Sequence, residues 1–216
     1  MNALNQIDLW FATFAHTVCL NFDDIFTPLL RALSVAGNSG AIFIAISVVM
    51  LAFRRTRKAG CTALVALAAG VLITELLLKN IVGRARPFTD ETSLFYTYWA
   101  DAGRLSASGY SFPSGHTAAA AAFATAMFLH FKKKISWLFF SIPIAMGFSR
   151  VYFQVHYITD VAAALVIDFL CGLLATYAVK LLLKLSFFKK FIDAGSITVR
   201  CFLILSLFFF IGIIVF

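Results

Sequence analysis

Charged side chains are scarce in this sequence. They make up 13% of its 216 residues, where a soluble domain carries about a quarter, and that shortage excludes an ordinary solvated globule. Cysteine is sparse too. Cys19, Cys61, Cys171 and Cys201 stand far apart in apolar surroundings, which excludes the close pairing that zinc sites and redox motifs require and leaves buried thiols as the expectation. The period-two alternation of a barrel strand is missing. No basic stretch and no small-residue cleavage site mark the N-terminus, so a cleaved signal peptide is not expected. Internal repeats are absent as well.

What fills the sequence instead is hydrocarbon: 62% of residues are hydrophobic and 25 are phenylalanine. The apolar residues fall into runs at roughly 36–53, 60–81, 113–131, 135–151, 157–183 and 198–216. Each approaches the twenty residues that a rise of about 1.5 Å per residue needs to cross about 30 Å of lipid core. Continuous runs of this kind can satisfy their backbone polar groups inside a membrane only as helices. The expectation is an all-α, polytopic membrane bundle with about six transmembrane helices, forming one membrane-embedded domain over residues 1–216. The stretch DLWFATFAHTVCLNF at 8–22 is apolar but interrupted by Asp8, His16 and Asn21. It either lies in the interface as an amphipathic helix or forms a seventh span.

Basic residues collect in alternate connections: RRTRK at 54–58, KKK at 132–134, and Lys180, Lys184, Lys189 and Lys190. Short basic loops stay on the cytoplasmic side, so the connections at 82–112 and 152–156 face outward, toward the periplasm or exterior of a bacterial inner membrane. The net charge of +8 is largely this topological signal, with some attraction to anionic headgroups. Membrane lipids are expected partners; nucleic acid is not needed to explain the charge.

Three outward-facing places carry polar residues that burial does not explain. In KNIVGRARP at 79–87, Lys79, Arg84 and Arg86 gather where the positive-inside tendency disfavours them; the alternative is snorkelling to lipid phosphates. In PSGH at 113–116, a proline sets the first helical turn, and open N–H groups at Ser114 and Gly115 offer an anion seat. His116 on the same turn can hand a proton to a leaving oxygen near neutral pH; a helix cap facing headgroups is the plainer reading. In SRVYFQVHYITD at 149–160, Arg150 suits phosphate oxygens. His156 and Asp160, four apart, share a helical face, so the carboxylate can fix the imidazole tautomer for attack. A mutually satisfied pair at a helix end is the alternative. Glu75 precedes Lys79 by one turn in the favourable order, either as support for that lysine or as a partner for a neighbouring helix.

Taken together, Lys79 to Arg86-Pro87, Pro113 to His116, and Ser149-Arg150 with His156 and Asp160 resemble the three-part signature of the type 2 phosphatidic acid phosphatase superfamily, over about residues 60–170. The resemblance implies a membrane lipid phosphatase with no metal or other cofactor. Lys79, Arg86 and Arg150 would bind phosphate with Ser114 and Gly115. His156 would be the nucleophile forming a phosphohistidine, Asp160 would hold it, and His116 would protonate the leaving group. Arg84 falls between the family's positions and receives no role; residues 1–35 and those beyond 202 carry no part of the signature. Candidate substrates are undecaprenyl pyrophosphate, phosphatidylglycerol phosphate, phosphatidic acid and lipid A phosphates. The aromatic loop at 88–112, with Phe95, Tyr96, Tyr98 and Trp99, suits an interface that gates lipid entry. A transporter or a binding protein for a phosphorylated lipid or solute is the alternative, and the sequence does not speak to oligomeric state. The loop charges give a direct test of sidedness. A cysteine introduced at position 104 is expected to react with an impermeant thiol reagent on intact cells, and one at position 56 is not; the reverse pattern inverts the topology.

Overall fold

The computed structural model describes residues 3–186, 188 and 189; the expected span at 198–216, with Cys201, lies outside the described residues. Among those described, the regular elements are all helical. In chain order they are α1 (Ala3–Ala36), α2 (Ala41–Ala52), α3 (Arg57–Gly70), α4 (Lys79–Val82), α5 (Leu94–Asp101), α6 (Gly115–His130), α7 (Lys133–Ser136), α8 (Ser141–Tyr152) and α9 (Ile158–Leu182). A π-helical stretch, Val71–Leu78, joins α3 to α4 without a break. Three-residue 3-10 turns at Asn38–Gly40 and Pro87–Thr89 punctuate the chain near the polar end.

Helix α6 is the hub, packed against α3, α8 and α9. Its sequence explains why: Ala118, Ala120, Ala121, Ala122, Ala124 and Ala126 are all buried, and such small side chains let helix backbones approach in a membrane, where apolar burial alone gives no drive to associate. Facing α6, Gly172 of α9 sits so close to Thr125 that an added Cβ would fall 2.5 Å from its Cβ. The outer faces are apolar instead: Val166, Leu170 and Leu174 of α9 are exposed, as a lipid-facing surface requires.

By length and hydropathy three described helical stretches can cross a membrane: Arg57–Thr89, Lys134–Tyr152 and Ile158–Leu182; a fourth arises if α1 and the stretch Asn38–Ala52, bent by 48°, are counted as one. The run expected at 113–131 appears as the 16-residue α6. The run expected at 36–53 begins earlier, since the helix reaches back through α1, and it breaks at Ser39 and Gly40, both at positive φ.

Helix α1 departs most from the simple expectation. It kinks at Phe22. Before the kink, Asp8 meets Thr159, the Ala12 carbonyl accepts from Gln154 at 3.2 Å, and Ala15 packs on Val151 and Val161. These partners lie at the end of α8 and the start of α9, so the first half of α1 crosses one end of the bundle, with Leu4, Ile7, Trp10 and Phe14 exposed. After the kink, Thr27 bonds Tyr152, Ser34 bonds Arg150, and α2 leads on to Leu51, whose carbonyl accepts from Arg57 Nε at 2.9 Å. The same crossed end collects the close of α4, the start of α6, the close of α8 and the start of α9.

Candidate active site

The turn between α8 and α9 is where chemistry is concentrated. Gln154 there adopts a left-handed backbone (φ 51), a strained choice for a residue with a side chain, and its buried amide is anchored on Ala12. The turn drives His156 inward until it is 2% exposed. Its Nδ1 lies 2.7 Å from the Ser111 carbonyl oxygen. A carbonyl can only accept, so the proton sits on Nδ1, and the Nε2 lone pair accepts a hydrogen bond from Arg86 Nη1 at 3.2 Å. Burial pushes the imidazole down to about 4, against the pull of Asp160 and with help from Arg150 and Arg86, so His156 is neutral across the physiological range.

Asp160 is fully buried, but its Oδ2 stands 3.6 Å from His156 Nδ1, beyond a hydrogen bond. The direct carboxylate–imidazole bond read from the spacing is taken instead by the Ser111 carbonyl. The reason is local: as an early residue of α9, Asp160 turns Oδ2 back to accept from the Tyr157 N–H at 3.0 Å, and from the Ser111 hydroxyl at 2.5 Å. Ser111 therefore stands between the two, its carbonyl on His156 and its hydroxyl on Asp160.

A cavity of about 720 Å³ opens beside His156, lined among others by Lys79, Arg86, Gly115, His116, Arg150 and His156 itself. Arg86 is aimed by main-chain carbonyls: Nε donates to Gly109 at 3.0 Å, Nη1 to Val155 at 2.8 Å and Nη2 to Ser108 at 2.6 Å. Arg150 donates through Nη1 to Ser34, while its Nε is buried with no hydrogen-bond partner among the described residues. A buried charged donor left unpaired is costly, and an anion in the cavity would relieve that cost. Lys79 Nζ is 2.6 Å from Glu75 Oε2. Glu75 stands in the π-helical stretch, a widened geometry common at functional sites, and its Oε1 lies where a Cβ on Gly115 would be, so only glycine lets the start of α6 come this close. These cations and both histidines share one cavity.

Ser114 does not reach that wall. Its hydroxyl is fully buried and 3.0 Å from Thr117 Oγ1, while its N–H reaches the Asp160 carbonyl at 3.3 Å. Sequence reasoning also passed over four residues that the structure brings to the site or just behind it: Ser111, Ser34, Arg84 and Asp8. Arg84 Nη1 donates to Asp160 Oδ1 at 2.6 Å and Nη2 to Asp8 Oδ2 at 2.7 Å. The only signals were an unassigned arginine inside KNIVGRARP and an aspartate interrupting an apolar stretch.

The sequence profile of the PAP2 superfamily matches residues 59–184. The chain is 29% identical over 148 residues to an undecaprenyl-diphosphatase of Sulfolobus acidocaldarius, covering 67% of each chain. It is 33% identical over 117 residues to undecaprenyl-diphosphatase BcrC of Bacillus subtilis, covering 54% of this chain and about half, 53%, of that one. A transmembrane PAP2-type phosphatidylglycerolphosphate phosphatase from Bacillus subtilis has the same fold, with a TM-score of 0.63 and 24% identity over 83% of this chain and 88% of that one.

Two measurements check the site. The His156 imidazole resonance, identified by its loss in His156→Ala, is expected to titrate near 4; a midpoint at or above the ordinary value of about 6.5 contradicts a buried neutral imidazole. Glu75→Gln is expected to raise KM by more than it lowers kcat, because Lys79 loses the carboxylate that aims it. Unchanged kinetics with a lower Tm would make Glu75 a packing residue only.

Proposed function

The chain belongs to the PAP2 superfamily, and on that premise we propose that it is an integral membrane phosphatase that hydrolyses the phosphate or diphosphate end of a lipid through a phosphohistidine on His156. The observation that carries this reading is that His156, its Nε2 unprotonated and accepting from Arg86, lines one cavity with Lys79, Arg86 and Arg150, so that a phosphate drawing Arg86 onto itself would release the lone pair for attack. Three cations around one nucleophile match the spread charge of a phosphoryl group in transfer. Nε2 attacks phosphorus, a P–N bond forms, and the P–O bond to the leaving group breaks. His116, which takes up its proton as the anionic substrate offsets Arg150 and Lys79, gives that proton to the departing oxygen. In the second half His116 takes a proton from water, the water oxygen attacks phosphorus, the P–N bond breaks and inorganic phosphate leaves. Ser111 and Asp160 stand behind Nδ1 to stabilise the positive charge that the imidazole carries while phosphorylated.

A lipid substrate is supported by the cavity walls. Away from the cations they become apolar at Leu67, Val71 and Ala119, and a smaller apolar pocket reaching Ile44 shares those three residues. The two undecaprenyl-diphosphatase relatives favour a polyprenyl diphosphate over the other candidate lipids. The basic loops at 54–58 and 132–134 connect the opposite helix ends, which supports a site on the outer membrane face.

Phosphate release by the purified protein from a polyprenyl diphosphate, phosphatidylglycerol phosphate, phosphatidic acid and a lipid A phosphate tests the reading. His156→Ala is expected to lose activity by about four orders of magnitude or more while remaining folded. His116→Ala is expected to lose less on substrates with good leaving groups, which need little protonation. His156→Ala activity within about tenfold of the parent rules out the nucleophile, and equal His116→Ala losses on good and poor leaving groups rule out the acid.

A further inference from the structure

Behind the nucleophile, on the side away from the cavity, Asp160 belongs to a charge cluster whose other members, Arg84 and Asp8, the reaction as described does not use. Arg84 divides its fork between two carboxylates. Nη1 donates to Asp160 Oδ1 at 2.6 Å and to Thr159 Oγ1 at 2.7 Å, and Nη2 donates to Asp8 Oδ2 at 2.7 Å. Asp8 in turn accepts at Oδ1 from the Thr159 N–H at 3.0 Å and from its hydroxyl at 2.9 Å. The guanidinium carbon sits 3.8 Å from the centre of the Tyr157 ring, a distance at which a cation and an aromatic face attract. Asp8 is 2% exposed and Asp160 not at all.

We propose that Asp8 and Arg84 are positioning residues of the phosphoryl-transfer reaction: Arg84, shared between the two carboxylates, fixes Asp160 behind His156 and sets the charge that the imidazole meets. The inference rests on His156 being the nucleophile. Stability alone is a weak reason for the cluster, because a buried ionic triad in an apolar protein roughly breaks even with, or loses to, hydrophobic packing of the same volume. Its geometry has a clearer use. With Oδ1 held by Arg84 and Oδ2 by Ser111 and the Tyr157 N–H, the carboxylate cannot rotate, and Ser111 is thereby held with its carbonyl on Nδ1.

The charges around His156 can be followed element by element. Arg86 from the loop after α4, Arg150 from α8, Lys79 from α4 with its partner Glu75, and His116 from α6 stand on the cavity side; Asp160 from α9 stands behind, then Arg84, and beyond it Asp8 from α1. Tyr157 covers Arg84. The rear file therefore reads minus, plus, minus. It totals one negative charge, which the positive imidazole of the phosphorylated intermediate balances. Removing the middle charge leaves His156 before two uncompensated carboxylates; removing the last one leaves Asp160 fully neutralised.

These two changes push His156 in opposite directions, and purely structural damage does not. The experiment follows the His156 imidazole resonance against pH in the full-length purified protein, together with kcat, KM and Tm. Arg84→Gln is expected to raise the titration midpoint, and Asp8→Asn to lower it, each by about one pH unit. Arg84→Gln is also expected to lower kcat about tenfold or more with KM within about threefold. Arg84→Lys is expected to restore the midpoint but only part of kcat, since lysine keeps the charge and lacks the fork. Midpoints that stay put while Tm falls, or that move in the same direction, overturn the proposal. If Arg84→Gln does not fold, the near-isosteric Asp8→Asn decides alone: a lowered midpoint supports the clamp and an unmoved one overturns it. The titration needs no substrate. Failure of the parent protein to release phosphate would thus sink the phosphatase reading, whereas an active parent with unmoved midpoints would sink only the clamp.

Discussion

Asp160 carries its carboxylate with none of its surface open to solvent, inside a molecule that has little other charge to offer. An ion so placed is tolerated only if several partners converge on it, and two of its three partners come from distant parts of the chain. Arg84 arrives from the end of α4, the Ser111 hydroxyl from the loop before α6, and the Tyr157 N–H from the turn before α9. The carbonyl of the same residue accepts from Ser114 at the head of α6. Satisfying one buried residue therefore registers three helix ends against one another. The cavity in front of His156 is bounded by those same ends.

The packing of α6 serves the same registration. Its buried alanines bring α3, α8 and α9 close along their lengths, and Gly115 lets the carboxylate of Glu75 come right up to its head. A helix bundle with bulkier side chains at these positions would hold the ends farther apart, and cations on separate helices would no longer reach one phosphoryl group. The strained turn at Gln154 completes the arrangement, because it points His156 back into the bundle instead of leaving it at the surface. Close helix approach is thus what brings cations from separate helices to one cavity.

Much of this was legible in the sequence, and unevenly so. Lys79, Arg86, His116, Arg150 and His156 were readable because cations and histidines gather at the ends of apolar runs in the spacing of a known three-part signature, where snorkelling or capping accounts for one such residue better than for several, and the structure brings all five to one cavity. Helical architecture followed from the apolar runs in the same way. Asp8 was not readable, since its partners Thr159 and Arg84 lie about 150 and 76 positions away and no local periodicity encodes that meeting. The same holds for Ser34 on Arg150. Spacing placed His156 and Asp160 on one face, but it could not reveal that the Ser111 carbonyl would take the imidazole proton. Nor could it show that Ser114 would turn toward Thr117 and not the cavity. The π-helical stretch around Glu75 left no trace in composition.

Arg86 is held by three carbonyl oxygens, those of Ser108, Gly109 and Val155, and every residue type supplies a carbonyl. The position of this cation is thus written into the course of the backbone and is indifferent to which side chain the exposed residue 108 carries, whereas Val155 also packs in the core. Loops whose functional contribution is main-chain geometry are free to drift in sequence so long as their path is kept. The segment that borders the cavity can accordingly be rewritten at residue 108 by mutation, and the lining of the cavity can diverge among descendants of such a protein, without disturbing the placement of the Arg86 cation.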